Sequence, residues 1–310
     1  MQWGIRQTGQ AATLLALILM IAGCSGSSAK PELVWGKHGV NDGQLVKPRA
    51  IAIGPDDRIY VVDWTARIQA FDRDGKFLGA SWTPPDYRNG RPSGLSVDSN
   101  GNVVVSDSHY HAVRVYSPEG TLLQTVGGNP GLEPGQLSYV SDALRDADGN
   151  FYVAEFGENQ RISKFDSGGK FLKCWGAPGT KIGEFARIRG MTLGPDKLLY
   201  VADACNHRIQ VFTTDGAFVR TFGTPGNGKG ELSYPYDVAI SPGRTPYLYV
   251  VEYGNARVQK FTLQGESLGT WGSNGRAPGQ LCSPWALAVD SQGRVHVADS
   301  QNDRVQRIDF

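Results

Sequence analysis

One short pattern recurs six times between Leu33 and Phe310, and a fixed internal period constrains a fold more tightly than any single segment does. Each copy has a β-rich run that ends in an acid: Ile59–Asp63, Val103–Asp107, Phe151–Glu155, Leu199–Asp203, Leu248–Glu252 and Val295–Asp299. The fourth copy is the clearest. Its acid, Asp203, is followed by Asn206 and Arg208, an alternating run to Phe212, a turn at Asp215-Gly216, and a last apolar run from Phe218 to Phe222. Within residues 184–223 this gives four short extended runs divided by turn signals, with glycine where a positive φ is needed. No stretch past residue 30 sustains a helical period. Four antiparallel strands repeated about every 47 residues describe a propeller blade, so the expected fold is an all-β, six-bladed propeller.

The residues that carry the pattern are the strand-ending acid, the downstream Asn-x-Arg and the Asp-Gly turn. Asn206 with Arg208, Asn255 with Arg257 and Asn302 with Arg304 fit it directly, and Arg67 and Arg161 fit with one residue deleted or inserted. On these residues the chain resembles the NHL repeat family over nearly everything from Glu32 onward, and the resemblance implies a six-bladed ring. The second copy departs, with Ala112 where Arg is expected and with His109 and His111 in the connector. The last copy stops at Phe310 without its fourth strand. An orphan piece, Glu32–Gly36, matches the fourth strands at Phe171–Gly176 and Ser267–Gly272. Leu33–Trp35 is therefore expected to complete the last blade and close the ring, which removes the exposed sheet edges of an open arrangement.

Residues 1–23 read as a leader. Arg6 precedes an apolar run, Ala11–Ala22, too short to span a membrane comfortably. Met20-Ile21-Ala22-Gly23-Cys24 resembles a bacterial lipobox, which implies cleavage before Cys24, its lipidation, and a Ser/Gly tether over 24–31 ahead of the propeller at 32–310. The expected location is membrane-anchored and extracytoplasmic, facing the periplasm or cell surface, with the outer membrane favoured in a double-membraned bacterium. The remaining cysteines, Cys174, Cys205 and Cys282, have neither disulfide nor zinc-site spacing. Lys plus Arg is 31 against 30 for Asp plus Glu, so no global field gathers nucleic acid.

Three residue sets bear chemistry. The first comprises the repeated acid–Arg pairs: Asp63 with Arg67, Glu155 with Arg161, Asp203 with Arg208, Glu252 with Arg257 and Asp299 with Arg304. Five copies of one geometry point to fastening rather than to a catalytic centre, which normally breaks symmetry. The second set precedes the innermost strand of each blade: Arg49, Ser93, Ser141, Arg189, Tyr236 and Trp285, and one residue further Ala50, Gly94, Asp142, Gly190, Asp237 and Ala286. These positions differ between copies where scaffold residues do not, and variation laid over a repeat is where a specific site is written. Arg49, Asp142, Arg189, Tyr236, Asp237 and Trp285 are the candidate ligand-binding residues, with the arginines as anchors and the aromatics as platforms. The third set, His109, His111 and His207, is the weak candidate for metal.

The reading is a membrane-tethered binding or scaffold propeller that recognises a protein, a peptide or a small polar ligand at its channel mouth. It is expected to be monomeric, with no cofactor and no nucleic-acid partner. The alternative is a metal-dependent lyase or a lactonase-like propeller hydrolase. The amidating lyases that resemble this fold hold zinc on channel histidines. The positions above contain no His, and only Asp142 and Asp237 offer channel carboxylates.

Overall fold

The computed structural model describes Met1 and residues 30–310; the leader and Cys24 lie outside the described residues. Six four-stranded antiparallel sheets follow one another around a ring. The fourth repeat shows how each is made. Ile188–Leu193 lines the channel, then Leu198–Asp203, Arg208–Thr213 and Phe218–Phe222 step outward. Burial follows the same gradient. The second strand is almost wholly buried and the fourth mostly exposed, so the apolar side chains lie between neighbouring sheets rather than inside any one of them.

The sixth blade takes its outer strand from the other end of the chain. Leu33, Val34 and Trp35 pair with Arg307, Gln306 and Val305, and the backbone N–H of Glu32 donates to the Arg307 carbonyl at 2.9 Å. Trp35 is buried and its ring lies 4.8 Å from that of Phe71 in the first blade. The same device recurs round the ring: the outer-strand aromatic of one blade, replaced by Val126 in the second, covers the turn glycine of the next. Gly216, at φ +84°, shows why glycine is needed, because a Cβ there would lie 2.6 Å from the Trp175 ring. Gly75 stands in the same relation to Trp35, so the closing strand is packed like any other fourth strand.

The acid–Arg pairs fasten each blade to the loop that leads into it. Asp203 is buried. Its carboxylate accepts from the Ala186 N–H at 2.8 Å, from Asn206 at 2.8 Å, from the Arg208 Nε at 2.8 Å and from Gln210 at 3.1 Å. Arg208 in turn donates to the carbonyls of Thr180, Lys181 and Glu184 at 2.7–2.9 Å. Arg67, Arg161, Arg257 and Arg304 repeat this arrangement.

The second blade differs, for a visible reason. Five of the loops that lead into a blade close on an isolated parallel bridge, such as Pro178 with Phe185; the loop before Gly94 has none. There the carbonyls that an arginine at 112 would bind are missing. Arg114, two residues on, reaches Asp107 at 2.9 Å from the position held elsewhere by Gln69, Gln210, Gln259 and Gln306. The acid keeps a cation although the motif does not show one.

His296 stands in the slot held by tyrosine in other blades. It is buried, and its Nε2 lies 3.1 Å from Asp290, just as the Tyr200 hydroxyl donates to Asp196 at 2.7 Å. Burial holds its pKa below the usual histidine value against the pull of Asp290.

Candidate functional site

The twelve positions aligned from the repeat do converge, with Leu95, on one constriction at the top of the channel. A residue in the left-handed region, Lys47, Arg187, Tyr234 or Ser283, precedes the innermost strand in four blades. A bulge then displaces the register at Ser141, Arg189–Gly190, Tyr236 and Trp285. Bulges of this kind re-aim side chains, and here they turn Arg189, Tyr236 and Trp285 into the mouth.

The mouth is nearly closed. Its water-accessible space is about 30 Å³, room for one or two waters, whereas the channel beneath it opens to about 180 Å³ and widens to about 490 Å³ at the opposite face. The plug is made of cations and rings. The Arg189 guanidinium carbon lies 4.3 Å from the Tyr236 ring and 5.0 Å from that of Trp285; the Arg49 carbon lies 4.9 Å from Trp285 and 5.1 Å from Trp64. Among the described residues neither guanidinium is within ion-pair distance of a carboxylate, and the buried Nε of Arg49 has no hydrogen-bond partner. Burial, with the charges of Arg189 and Arg91 behind it, lowers the pKa of Arg49 to about 10, so it stays charged at neutral pH.

Asp142 and Asp237 line both this mouth and the channel beneath it, and each reaches across to the next blade. Asp142 accepts from the Met191 N–H at 2.9 Å, and Asp237 from the Leu287 N–H at 3.1 Å and its neighbour Val238 at 2.8 Å. The Met191 amide follows directly on the bulge of its strand and the Leu287 amide comes two residues after Trp285, and the carboxyls close the inter-blade seams there. Space for them is reserved, since a Cβ on Gly94 or Gly190 would lie 2.5 or 2.1 Å from a carboxylate oxygen.

Burial pushes both carboxyls up, Asp237 to about 7 and Asp142 well above the usual range with the neighbouring Asp237 charge adding to it. Arg189 and the backbone donors oppose the shift at Asp237. A carboxyl whose folded pKa is raised binds more protons folded than unfolded between the two values. Stability is therefore expected to fall as pH rises from about 4 to about 7, by about 1.4 kcal/mol for each unit of displacement. Urea unfolding across that range checks it, and Asp237→Asn should flatten the slope.

The histidines do not gather into a metal site. His109 and His111 both face the Tyr139 ring, at 5.6 and 5.3 Å, and His207 packs on Tyr234 while its Nδ1 accepts from that residue's backbone N–H. Among the described residues no three His, Cys, Asp or Glu side chains converge as a metal needs. Cys174, Cys205 and Cys282 are free thiols. Sequence reasoning missed Trp64 and Arg91. Trp64 follows the acid of the first copy where other copies carry Ser108, Phe156, Ala204, Tyr253 and Ser300, so variation laid over the repeat was the signal that was available.

A closed ring of six four-stranded blades, five of them fastened through the repeated acid–Arg pair, is a six-bladed propeller built from NHL-type repeats. The NHL repeat pattern itself matches residues 89–116, 185–212 and 281–308. Among curated proteins, the chain is 32% identical over 124 residues to the peptidyl-glycine alpha-amidating monooxygenase A of Xenopus laevis, a match covering 37% of this chain and 13% of that protein. Its counterpart from Mus musculus is 34% identical over 126 residues with the same coverage, so the chain spans only about an eighth of these relatives. Among solved structures, a streptogramin B lyase superposes with a TM-score of 0.61 at 15% identity, covering 87% of this chain and 95% of that one. The virginiamycin B lyase of Staphylococcus aureus gives 0.59 at 17%, covering 86% and 81%. At such identities the likeness is one of fold.

Proposed function

We propose that this chain is a non-enzymatic binding propeller, tethered outside the cytoplasm by a lipid on Cys24, whose channel mouth takes an anionic group of a peptide or small polar ligand. One observation carries the reading: Arg49 and Arg189 share Trp285 at the mouth with no carboxylate paired to either. A guanidinium stacked on a ring keeps its N–H edge for a carboxylate or phosphate, which it binds in a forked pair. The small volume at the mouth favours a ligand that rests on the plug over one that enters it.

A metal-dependent lyase or lactonase-like hydrolase is the second reading, favoured by the local identity to amidating monooxygenases. Two measurements separate the readings. Acetate and inorganic phosphate should quench tryptophan fluorescence in the parent and not in Arg49→Ala/Arg189→Ala. Stoichiometric zinc or calcium in the purified protein, or quenching that survives in the double variant, would overturn the binding reading.

A further inference from the structure

The plug continues beyond the channel. Arg91, from the unfastened loop before the second blade, lies 5.1 Å from the Trp64 ring, on which Arg49 also rests at 5.1 Å. Arg91 also donates from its Nε to the Trp64 carbonyl. At the other end Tyr236, which carries Arg189, stacks on Tyr253 at 4.6 Å and 18°. The side chains thus alternate across the top face as Arg91, Trp64, Arg49, Trp285, Arg189, Tyr236 and Tyr253. None of the three guanidiniums is within ion-pair distance of a carboxylate among the described residues. Trp64 and Tyr253 stand exposed, at 45% and 38%.

The geometry points to an acidic peptide in extended, polyproline-like conformation, laid along this ladder with one carboxylate on each guanidinium. The proposal rests on the mouth being a ligand site, as above, and adds the ligand's form. Spacing decides the form. Each of Trp64 and Trp285 has two guanidiniums about 5 Å from its ring centre, so neighbouring guanidinium carbons are no more than about 10 Å apart, within the span of three residues of extended chain. A polyproline II helix puts every third side chain on one side at about 3.1 Å per residue, which matches acids at i, i+3 and i+6. The rings between the cations offer apolar faces and edges to the intervening residues, as aromatic grooves do for proline-rich chains. Stacking on the rings also keeps the guanidiniums ordered with their N–H edges free. Asp142 and Asp237 are engaged with backbone amides and form no ion pair with the ladder's cations, and only Arg189 feels the Asp237 charge.

Calorimetric titration of the full chain with the blocked nonapeptide Glu-Pro-Pro repeated three times tests this. A control of the same composition carries its three glutamates in a row, and heparin and tripolyphosphate serve as non-peptide polyanions. The spaced peptide is expected to bind at least tenfold tighter than the clustered one and to weaken steeply with salt. Arg91→Ala and Trp64→Ala should each weaken it several-fold. Equal affinity for the two peptides, tighter binding of heparin or tripolyphosphate than of the spaced peptide, or indifference to Arg91→Ala would overturn the proposal. Persistence of phosphate quenching in the Arg49/Arg189 double variant would instead overturn the reading beneath it.

Discussion

A chain lacking residues 32–36 is expected to melt at least 10 °C below the parent, and to lose the cooperativity of its transition. Trp35 alone fills the position that Trp175 and Phe222 fill elsewhere, and truncating a buried tryptophan costs about 3–5 kcal/mol. The pairing of Leu33–Trp35 with Val305–Arg307 goes with it, as do the Arg307 contacts to Glu32 at 3.2 Å. In a domain of this size each kcal/mol moves the midpoint by about 2 °C. The larger consequence is topological. Without that strand the third strand of the last blade becomes a free edge, an invitation to aggregation, and the seam between first and last blades loses its tryptophan. Differential scanning calorimetry of the truncated chain checks this. A melt like the parent's would mean that the two ends do not hold the ring.

Most of this architecture could be read in the sequence, because it is written six times. The number of blades, the strand that closes the ring and the alignment of Arg49, Ser93, Ser141, Arg189, Tyr236 and Trp285 on one constriction all follow from placing equivalent residues at equivalent heights. What could not be read depends on contacts between copies that differ. Arg114 replaces the missing arginine because a loop in front of its blade lacks the usual carbonyls, and nothing local to Ala112 reveals that. Arg91 and Trp64 join the mouth only because the first and second blades are neighbours in the ring. Asp142 and Asp237 looked like ligand groups beside the arginines. Each also accepts from a backbone amide of the next blade, Met191 or Leu287, an inter-blade contact that no residue type in its own copy reveals.

The contrast between paired and unpaired arginines yields the second large effect. Arg208→Ala is expected to destabilise the propeller by about 3–5 kcal/mol, because it leaves Asp203 buried without its cation and strips three loop carbonyls of their donor. Burial already pushes the Asp203 carboxyl up, even with Arg208, Asn206 and the Ala186 amide opposing it; without the arginine it should take up a proton more readily, so the defect should be worse at pH 8 than at pH 5. Removing both partners in Arg208→Ala/Asp203→Asn should recover part of the loss, since the uncompensated charge, more than the missing bond, carries the penalty. Among the described residues Arg189→Ala breaks no ion pair and strips no loop carbonyl of its donor. It should cost far less in urea unfolding, while the Arg208 variant, once folded, should keep the anion response of the mouth. If the two substitutions destabilised equally, the division of labour between the fastening arginines and the mouth arginines would fail, because both kinds would then be holding the ring.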